Sequence, residues 1–274
     1  MITTFQAAFT IAGRPVGAGH PCFVIAEAGV SHFGSLDKAR RLVDMAVQAG
    51  ADAVKFQHYR TDDMIGPAAP EWRDRMRTRE LTDDQMRQIR DMCDAAGILF
   101  LCTGHDEASI DFLDRELDVA AFKVGSGELR NWPSLDALAR RGKPIILSTG
   151  MYEMADIEAA VRVVAAAGND RLAVLHCVTR YPCDPAEVNL AVMDRIRAFF
   201  PGPVGYSDHS EGTAVPLAAV ALGAQVIEKH ITLERNIPNA QDWKVSCDPH
   251  TLGPFVRDIR EIEAARGGGP KVVG

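Results

Sequence analysis

Two histidines stand out because each follows a short apolar run within one compact unit of the chain. His209 comes just after the run at 203–206, and His230 comes just after the run at 224–227. Between them, apolar residues at three- and four-residue spacing predict a helix that ends at Gly223. Because neighbouring parallel strands end at one edge of a sheet, the two imidazoles could converge on a divalent metal ion. The alternative is that each histidine only caps its strand through hydrogen bonds.

Two lysines interrupt apolar runs, Lys55 within AVKF and Lys123 within AFKV. A lysine in such a setting is costly to bury unless it meets an anion. Ser126, Ser148 and nearby glycines lie just beyond predicted strands, and hydroxyls, backbone amides and ammonium groups together make a phosphate pocket. The alternative for each lysine alone is a salt bridge to a glutamate on a neighbouring strand.

Two more side chains could contact a sugar-like substrate, and a third is ambiguous. Glu27 lies in the apolar run IAEAG, where a carboxylate can bind hydroxyls or act as a general base with a raised pKa. Its alternative role is to pair with Lys55 or Lys229. Tyr181 could pack against a sugar, or it could be a core residue with a satisfied hydroxyl. Asp242 lies in a polar loop, and taken alone it would be assigned to solvated surface.

These residues sit at the ends of a repeated unit of apolar strand, polar residue, helix and glycine. The predicted strands are 23–26, 53–56, 99–102, 120–124, 144–147, 172–176, 203–206 and 225–228. The predicted helices are 36–49, 83–96, 107–116, 134–141, 156–167, 190–199, 213–222 and 250–265. Such an alternation over about 250 residues is typical of an α/β protein with a (β/α)8 TIM barrel, whose active site lies at the carboxyl ends of the strands. A doubly wound open sheet is the alternative, although no GxGxxG follows the first strand.

The fold prediction divides the chain into three parts. Residues 1–20 form a hairpin that caps the barrel, 21–266 form the catalytic barrel, and 267–274 form a flexible tail. The stretch 58–81 lacks a periodic pattern, which predicts a lid or binding loop.

Composition narrows the class of protein. The 274 residues are 47% hydrophobic and carry a formal net charge of −7, so no general basic surface for nucleic acid is expected. The six cysteines are scattered without a CxxC pair, which indicates buried thiols rather than a disulfide framework. The sequence has neither a secretory signal pattern nor an apolar run long enough to span a membrane. A cytoplasmic enzyme or binding protein is expected.

Several long segments resemble the sialic acid synthase family, also called the N-acetylneuraminate synthase family. The matching segments are FVIAEAGVSHFGSLDKARRLVDMAVQAGADAVKFQ at 23–57, FKVGSGEL at 122–129, PIILSTGM at 144–151, LHCVTRYP at 175–182 and VGYSDHSEGTAVPLAAVALGAQVIEKHITL at 204–233. The resemblance extends over nearly the whole chain and covers each group of residues singled out above.

This resemblance implies a carbon–carbon bond-forming transferase that joins phosphoenolpyruvate to an aldehyde sugar, giving a sialic-acid-like 2-keto acid and phosphate. His209 and His230 would hold Mn²⁺, or another divalent ion such as Mg²⁺ or Co²⁺. The implied phosphoenolpyruvate site consists of Lys55, Thr103, Lys123, Ser126, Ser148, Thr179 and Ser207. The implied catalytic residues are Glu27, Lys55, Lys123, Glu128, Tyr181 and Asp242. Among these, Glu27, Tyr181 and Asp242 would face the acceptor, and Glu128 or a metal-bound water would handle protons.

The sequence departs from the family pattern at positions expected to lie on the acceptor side or in its lid. GVSHFG at 29–34 replaces GVNHNG, CTGHD at 102–106 replaces STPFD, and Trp243 stands where a histidine is usual. The family's C-terminal antifreeze-like domain is expected to be absent, since the sequence ends at Gly274. We therefore expect the acceptor to differ from N-acetylmannosamine, or to be bound by different means.

Two other functions fit the same residues. A Schiff-base aldolase or lyase would use Lys123 as its nucleophile in an apolar pocket. A non-catalytic binder of a phosphorylated ligand would keep the pocket without the reaction. For the enzyme, a homodimer is the expected assembly.

Overall fold

The computed structural model describes residues 4–238, 240 and 242–267. An antiparallel hairpin comes first, made of β1 (Ala8–Ile11) and β2 (Arg14–Gly17). Eight further strands follow: β3 (Phe23–Gly29), β4 (Ala53–His58), β5 (Leu99–Gly104), β6 (Phe122–Val124), β7 (Ile145–Ser148), β8 (Leu172–Cys177), β9 (Val204–Asp208) and β10 (Val226–His230). The predicted hairpin and each predicted strand are present, with ends that differ by a few residues.

Helices alternate with the strands. They are α1 (Leu36–Ala49), α2 (Thr61–Met64), α3 (Pro70–Arg77), α4 (Asp83–Ala96), α5 (Glu107–Arg115), α6 (Trp132–Arg140), α7 (Met154–Ala166), α8 (Pro185–Val188), α9 (Val192–Arg197), α10 (Ala214–Ala221) and α11 (Leu252–Arg266). Two 3₁₀ turns, Ser126–Glu128 and Asp242–Val245, complete the regular structure. No described helix combines the length and the apolar character needed to cross a membrane.

The eight strands β3 to β10 form one parallel sheet in the order β5-β4-β3-β10-β9-β8-β7-β6. Strand β3, the first of the eight in the chain, pairs with β10, the last, and Glu27 lies beside His230 in this register. The edge strands β5 and β6 lie next to each other, so the sheet curves round into a ring. This arrangement confirms the predicted (β/α)8 architecture and excludes the doubly wound alternative, in which a sheet stays open.

Local sequence signals account for the helix ends. Ser35 accepts a hydrogen bond from the backbone of Lys38 at the start of α1, and Gly50 ends that helix in the left-handed conformation, which glycine adopts without strain. Helix α4 begins with a capping box formed by Thr82 and Gln85. The apolar faces of these helices pack on the outside of the ring, where Leu42 and Met86 are fully buried.

The hairpin covers one end of the ring. Phe9, Ile11 and Val16 are buried in one cluster with residues from the interior of the ring, including Ile25 and Leu101. These interior residues lie in the amino-terminal halves of their strands. The interior of the barrel is therefore filled with apolar side chains at this end, and its functional cavity lies at the opposite one.

The stretch 58–81 is more ordered than its lack of periodicity suggested, since it contains α2 and α3. It has a small apolar cluster of its own, formed by Val30, Tyr59, Ile65 and Met76. The Tyr59 hydroxyl donates to the Met76 carbonyl at 3.0 Å, which ties the two ends of the stretch together. These helices are too short for periodicity to reveal them. Of the predicted flexible tail, 268–274 lies outside the described residues.

Candidate active site

A cavity of about 170 Å³ opens at the carboxyl ends of the strands, opposite the hairpin. It is lined by all but two of the side chains that the sequence singled out: Glu27, Lys55, Thr103, Lys123, Ser126, Ser148, Thr179, Tyr181, Ser207, His209 and His230. The parallel register brings them together, because each lies at or just beyond the end of a neighbouring strand.

The floor of the cavity is a row of alternating charges. The Nζ of Lys55 lies 2.8 Å from Oε2 of Glu27 and 3.7 Å from Oε2 of Glu228. On the other side, the Nζ of Lys123 lies 3.6 Å from Oε1 of Glu228. These side chains are almost completely buried, so each charge depends on its neighbours for compensation. The salt-bridge role considered for each lysine is therefore real, but it is part of a cavity floor.

Burial and the neighbouring charges shift the pKa values of these four groups, some upward and some downward. Burial raises the pKa of Glu27 to about 7, with Lys55 opposing the shift and Glu228 adding to it. Burial also disfavours ionisation of Glu228, but Lys123 and Lys55 outweigh it and the net pKa is lowered. Burial lowers the pKa of Lys123, whereas for Lys55 the two carboxylates overcome burial and the net pKa is raised. Glu27 is thus the group of this row whose pKa lies near neutrality, where it can gain or lose a proton.

Hydroxyl groups surround the row. The Nζ of Lys123 donates to Oγ of Ser148 at 2.7 Å, and the backbone amide of Gly150 donates to Oγ of Ser126 at 2.8 Å. A Cβ on Gly150 would lie 2.4 Å from Oγ1 of Thr179, so this close approach of loops requires glycine. An ammonium group has three donors, and the contacts of Lys123 with the Val124 carbonyl at 3.4 Å and with Glu228 at 3.6 Å are long, which leaves capacity for a ligand. The arrangement suits a small anion.

The two histidines lie side by side on the wall of the cavity. Their ring centroids are 5.5 Å apart, and the ring of Tyr181 stacks on His209 at 4.0 Å. Nδ1 of His209 lies 2.8 Å from the Val178 carbonyl and must donate to it, so Nε2 accepts the Tyr181 hydroxyl at 2.6 Å. Burial lowers the pKa of both histidines, which keeps them neutral.

This pair fits a divalent metal ion. Neutral imidazoles are the form that binds metals, and Nδ1 of His230 is buried without a hydrogen-bond partner among the described residues. The Tyr181 hydroxyl would have to leave Nε2 of His209 for that nitrogen to become a ligand. No described group of three or more histidine, cysteine or acidic side chains is arranged to hold a metal, so other ligands would be water or substrate.

A buried ion pair fixes the strand ends that carry the histidines. Lys229, next to His230, pairs with Asp208, next to His209, and both side chains are at most 1% exposed. Asp208 also accepts from the Tyr206 hydroxyl at 2.9 Å and from the Ser210 hydroxyl at 2.7 Å. The fully bonded carboxylate holds β9 and β10 in one relative position.

Replacing Lys229 with methionine should lower the free energy of unfolding by about 3–5 kcal/mol, because Asp208 would remain buried without its cation. Chemical denaturation followed by circular dichroism measures the change. The matched control is Arg162→Met, which breaks an exposed pair with Glu158 and should cost less than about 1 kcal/mol. Equal losses in the two variants would contradict a structural role for the buried pair.

Two predicted residues do not line this cavity. Glu128 lies in the turn Ser126–Glu128, accepts a hydrogen bond from Asn131 at 2.8 Å and lines a neighbouring cavity of about 380 Å³. The structure thus places Glu128 beside the central cavity rather than in its lining, and its expected role with protons stays a prediction. Asp242 lies in the turn Asp242–Val245, where burial raises its pKa and Arg79 opposes the shift. Asp242 is half-buried there, so it is not the fully solvated residue that its sequence context alone suggests.

The cavity also contains side chains for which the sequence predicts no specific role. Gln57 and Glu228 are expected at strand ends, whereas His105 and Cys177 are not expected in the site. Glu228 directly precedes Lys229 and His230, and its position at a strand end is the sequence feature that predicts a place in the cavity. His105 belongs to CTGHD, a departure expected on the acceptor side, and it lines the cavity that contains both lysines and the residues expected to face the acceptor.

The sequence model of the NeuB family matches residues 42–271 of this chain. The N,N'-diacetyllegionaminic acid synthase of Legionella pneumophila is 38% identical over 275 residues, covering 94% of this chain and 77% of the relative. The N-acetylneuraminate-9-phosphate synthase of Homo sapiens is 38% identical over 268 residues, covering 93% of this chain and 74% of the relative.

A solved structure has the same fold over almost its full length. It is the crystal structure of N-acetylneuraminic acid (sialic acid) synthetase from Leptospira borgpetersenii in complex with citrate. Its TM-score is 0.92 at 32% sequence identity, with coverage of 99% of this chain and 94% of that chain. Similarity in sequence and in structure therefore extends over the whole barrel.

Proposed function

This chain belongs to the NeuB family, and from that membership and its cavity we propose that it condenses phosphoenolpyruvate with an aldehyde sugar. The products are a 2-keto acid of the sialic acid type and inorganic phosphate. The observation that carries the proposal is the row of Glu27, Lys55, Glu228 and Lys123 among hydroxyl groups at the strand ends. Relatives named as synthases of N-acetylneuraminate 9-phosphate and diacetyllegionaminic acid support the product class.

In the proposed reaction, C3 of phosphoenolpyruvate attacks the carbonyl carbon of the aldehyde. A water oxygen adds to C2, and the bond from C2 to the phosphate oxygen breaks, leaving the 2-keto group and free phosphate. Lys55 and Lys123 offset the charge on the phosphate as it leaves. Glu228 holds both lysines in place and is itself held by the Ser207 hydroxyl at 3.0 Å. Glu27, with a pKa near neutrality, is suited to exchange a proton with the acceptor or water.

His209 and His230 would hold the divalent ion, which we propose to be Mn²⁺, with Mg²⁺ and Co²⁺ as candidates. Such an ion, when bound, polarises a carbonyl oxygen as a Lewis acid. Tyr181 shares this wall of the cavity, since its ring also meets His230 edge-on at 5.6 Å. We place the acceptor on this side, above the charged floor.

One observation favours a second candidate function. Burial lowers the pKa of Lys123, which is the condition that a Schiff-base lysine requires. A Schiff-base aldolase would be inactivated by borohydride in the presence of pyruvate, with a covalent adduct on Lys123. The condensing enzyme would be unaffected by that treatment, so mass spectrometry of the treated protein separates the two functions.

The direct test is release of phosphate from phosphoenolpyruvate with Mn²⁺ and a panel of acceptors. The panel holds N-acetylmannosamine, its 6-phosphate, unsubstituted aldoses and short aldehydes. Acceptor-dependent release with formation of a 2-keto acid supports the proposal. A protein that binds phosphoenolpyruvate but releases no phosphate with any acceptor would instead be a binder. We also propose a cytoplasmic homodimer, which analytical ultracentrifugation and cell fractionation can test.

The affinity for phosphoenolpyruvate should fall as the pH rises from 7 to 9. The pKa of Glu27 is about 7 in the free protein, and an anion bound nearby raises it further, so binding takes up a proton. Above pH 7 Glu27 is increasingly ionised and that proton must come from solvent, so the affinity drops by up to about tenfold per pH unit.

Calorimetry across this pH range, in buffers with different ionisation enthalpies, measures both the affinity and the proton uptake. Glu27→Gln should flatten the profile because the amide is neutral at every pH. Glu128→Gln, a control outside the central cavity, should keep the wild-type profile. A profile that stays steep in Glu27→Gln would assign the titration to another group, with Lys123 the next candidate.

A further inference from the structure

His105 lies between two cavities. It lines the central cavity together with Lys55 and Lys123, and it also lines the neighbouring cavity that contains Glu128. It is held there by its backbone, whose amide donates to the His58 carbonyl at 3.0 Å, and by the edge of the Tyr59 ring at 6.3 Å. Its side chain is thus presented to the central cavity from a rigid strand end.

The imidazole of His105 has an unmet hydrogen-bonding requirement. Its Nε2 atom is buried and makes no hydrogen bond with the described residues. A buried polar atom without a partner destabilises the protein, so buried nitrogens of this kind almost always find one. Phenylalanine, the residue of the family pattern at this position, would carry no such penalty. A bound ligand is the partner that this nitrogen still lacks.

The charges around His105 define the ligand. Burial, together with the nearby Lys55 and Lys123, lowers the pKa of His105 to about 4, so the ring is neutral near pH 7. A neutral imidazole can donate one hydrogen bond to an anion without adding a further positive charge beside two ammonium groups. Gly125 and Gly127 line the same cavity and leave room for a tetrahedral anion, since a Cβ on either would meet no atom within 4 Å.

We propose that His105 is a substrate-binding residue of this chain, whose Nε2–H donates a hydrogen bond to the phosphate group of phosphoenolpyruvate. The inference rests on the proposed function, because that function places phosphoenolpyruvate between Lys55 and Lys123. It assigns to His105 a contact that phenylalanine cannot make. The same donor remains on the phosphate after it leaves C2, so His105 also slows its escape from the cavity.

The test compares His105→Phe and His105→Gln, with inorganic phosphate, phosphoenolpyruvate and pyruvate as calorimetric probes. His105→Phe should bind phosphate and phosphoenolpyruvate about tenfold more weakly, equal to about 1.4 kcal/mol, with pyruvate unchanged. His105→Gln, which keeps a donor, should lie within about threefold of wild type. Without ligand, the melting temperature of His105→Phe should equal or exceed that of wild type, because the variant has no buried nitrogen without a partner. If His105 instead stabilised the fold, the substitution would lower the melting temperature.

Unchanged phosphate affinity in His105→Phe would overturn the proposal. So would a variant that loses affinity only for pyruvate. The proposal would also fail if His105→Gln bound phosphate as weakly as His105→Phe. Lys123→Met separates this failure from failure of the proposed function. If Lys123→Met loses phosphate binding and His105→Phe does not, only the role of His105 is wrong. If neither variant loses it, the phosphate does not bind at this floor and the proposed function fails as well.

Discussion

Replacing His230 with alanine is expected to reduce phosphate release from phosphoenolpyruvate and acceptor by about a thousandfold or more. A metal ion acting as a Lewis acid supplies several kcal/mol to such a reaction, and each 1.4 kcal/mol is a factor of ten. The neutral ring of His230 and its orphaned Nδ1 support its proposed role as one of two ligands, with His209 as the other. The same loss is therefore expected for His209→Ala.

Binding of Mn²⁺, followed by electron paramagnetic resonance, gives a readout that does not depend on turnover. Both alanine variants should lose the bound signal while keeping the circular dichroism spectrum of the folded barrel. His176→Gln is the matched control, since His176 also lies at a strand end but uses Nε2 to bond the Val188 carbonyl. Full activity of the double alanine variant after metal removal would refute the metal role.

Lys123→Met should weaken phosphoenolpyruvate binding by about 1.5–3 kcal/mol, or roughly ten- to more than a hundredfold. Methionine keeps most of the volume, so the change removes the charge and its bond to Ser148 rather than the packing. Lys55→Met should weaken binding similarly, although Glu27 then loses its nearest cation and its pKa should rise further.

Calorimetry with phosphoenolpyruvate measures both variants, and Lys143→Met is the control. Lys55 and Lys123 lie within sheet strands, whereas Lys143 lies just before β7 and is paired with Asp114 and Asp118 away from the cavity. Removing it should leave the affinity unchanged. Wild-type affinity in both Lys55→Met and Lys123→Met would show that the ligand does not sit on the charged floor.

The barrel could be predicted because its strands are buried on both faces and its helices carry clear caps and apolar stripes. Helices α1 and α4 match the predicted bounds, since Ser35 with Gly50 and Thr82 with Gly97 mark their ends. The short helices in 58–81 could not be predicted in the same way. They form around a local apolar cluster, and eight or fewer residues carry too little periodicity to distinguish helix from loop.

The residues of the candidate site could be predicted from the sequence where they lie at strand ends, because the register of the parallel sheet brings such residues together. Glu128 lies four residues beyond β6, as Tyr181 does beyond β8, but the turn Ser126–Glu128 directs it to Asn131 and the neighbouring cavity. The pairing of Lys229 with Asp208 was equally hidden. Sequence cannot tell which of several adjacent polar residues at a strand end faces inward and which faces a partner.

The hairpin at the amino-terminal end of the barrel affects the order in which ligands can bind and leave. With Phe9, Ile11 and Val16 packed into that end, the described residues fill the amino-terminal interior of the barrel, and the charged floor is reached from the carboxyl end. Whatever rests on the charged floor must arrive before the molecule above it and can depart only afterwards. Under the proposed function, phosphoenolpyruvate would therefore bind before the acceptor, and phosphate would leave after the larger product.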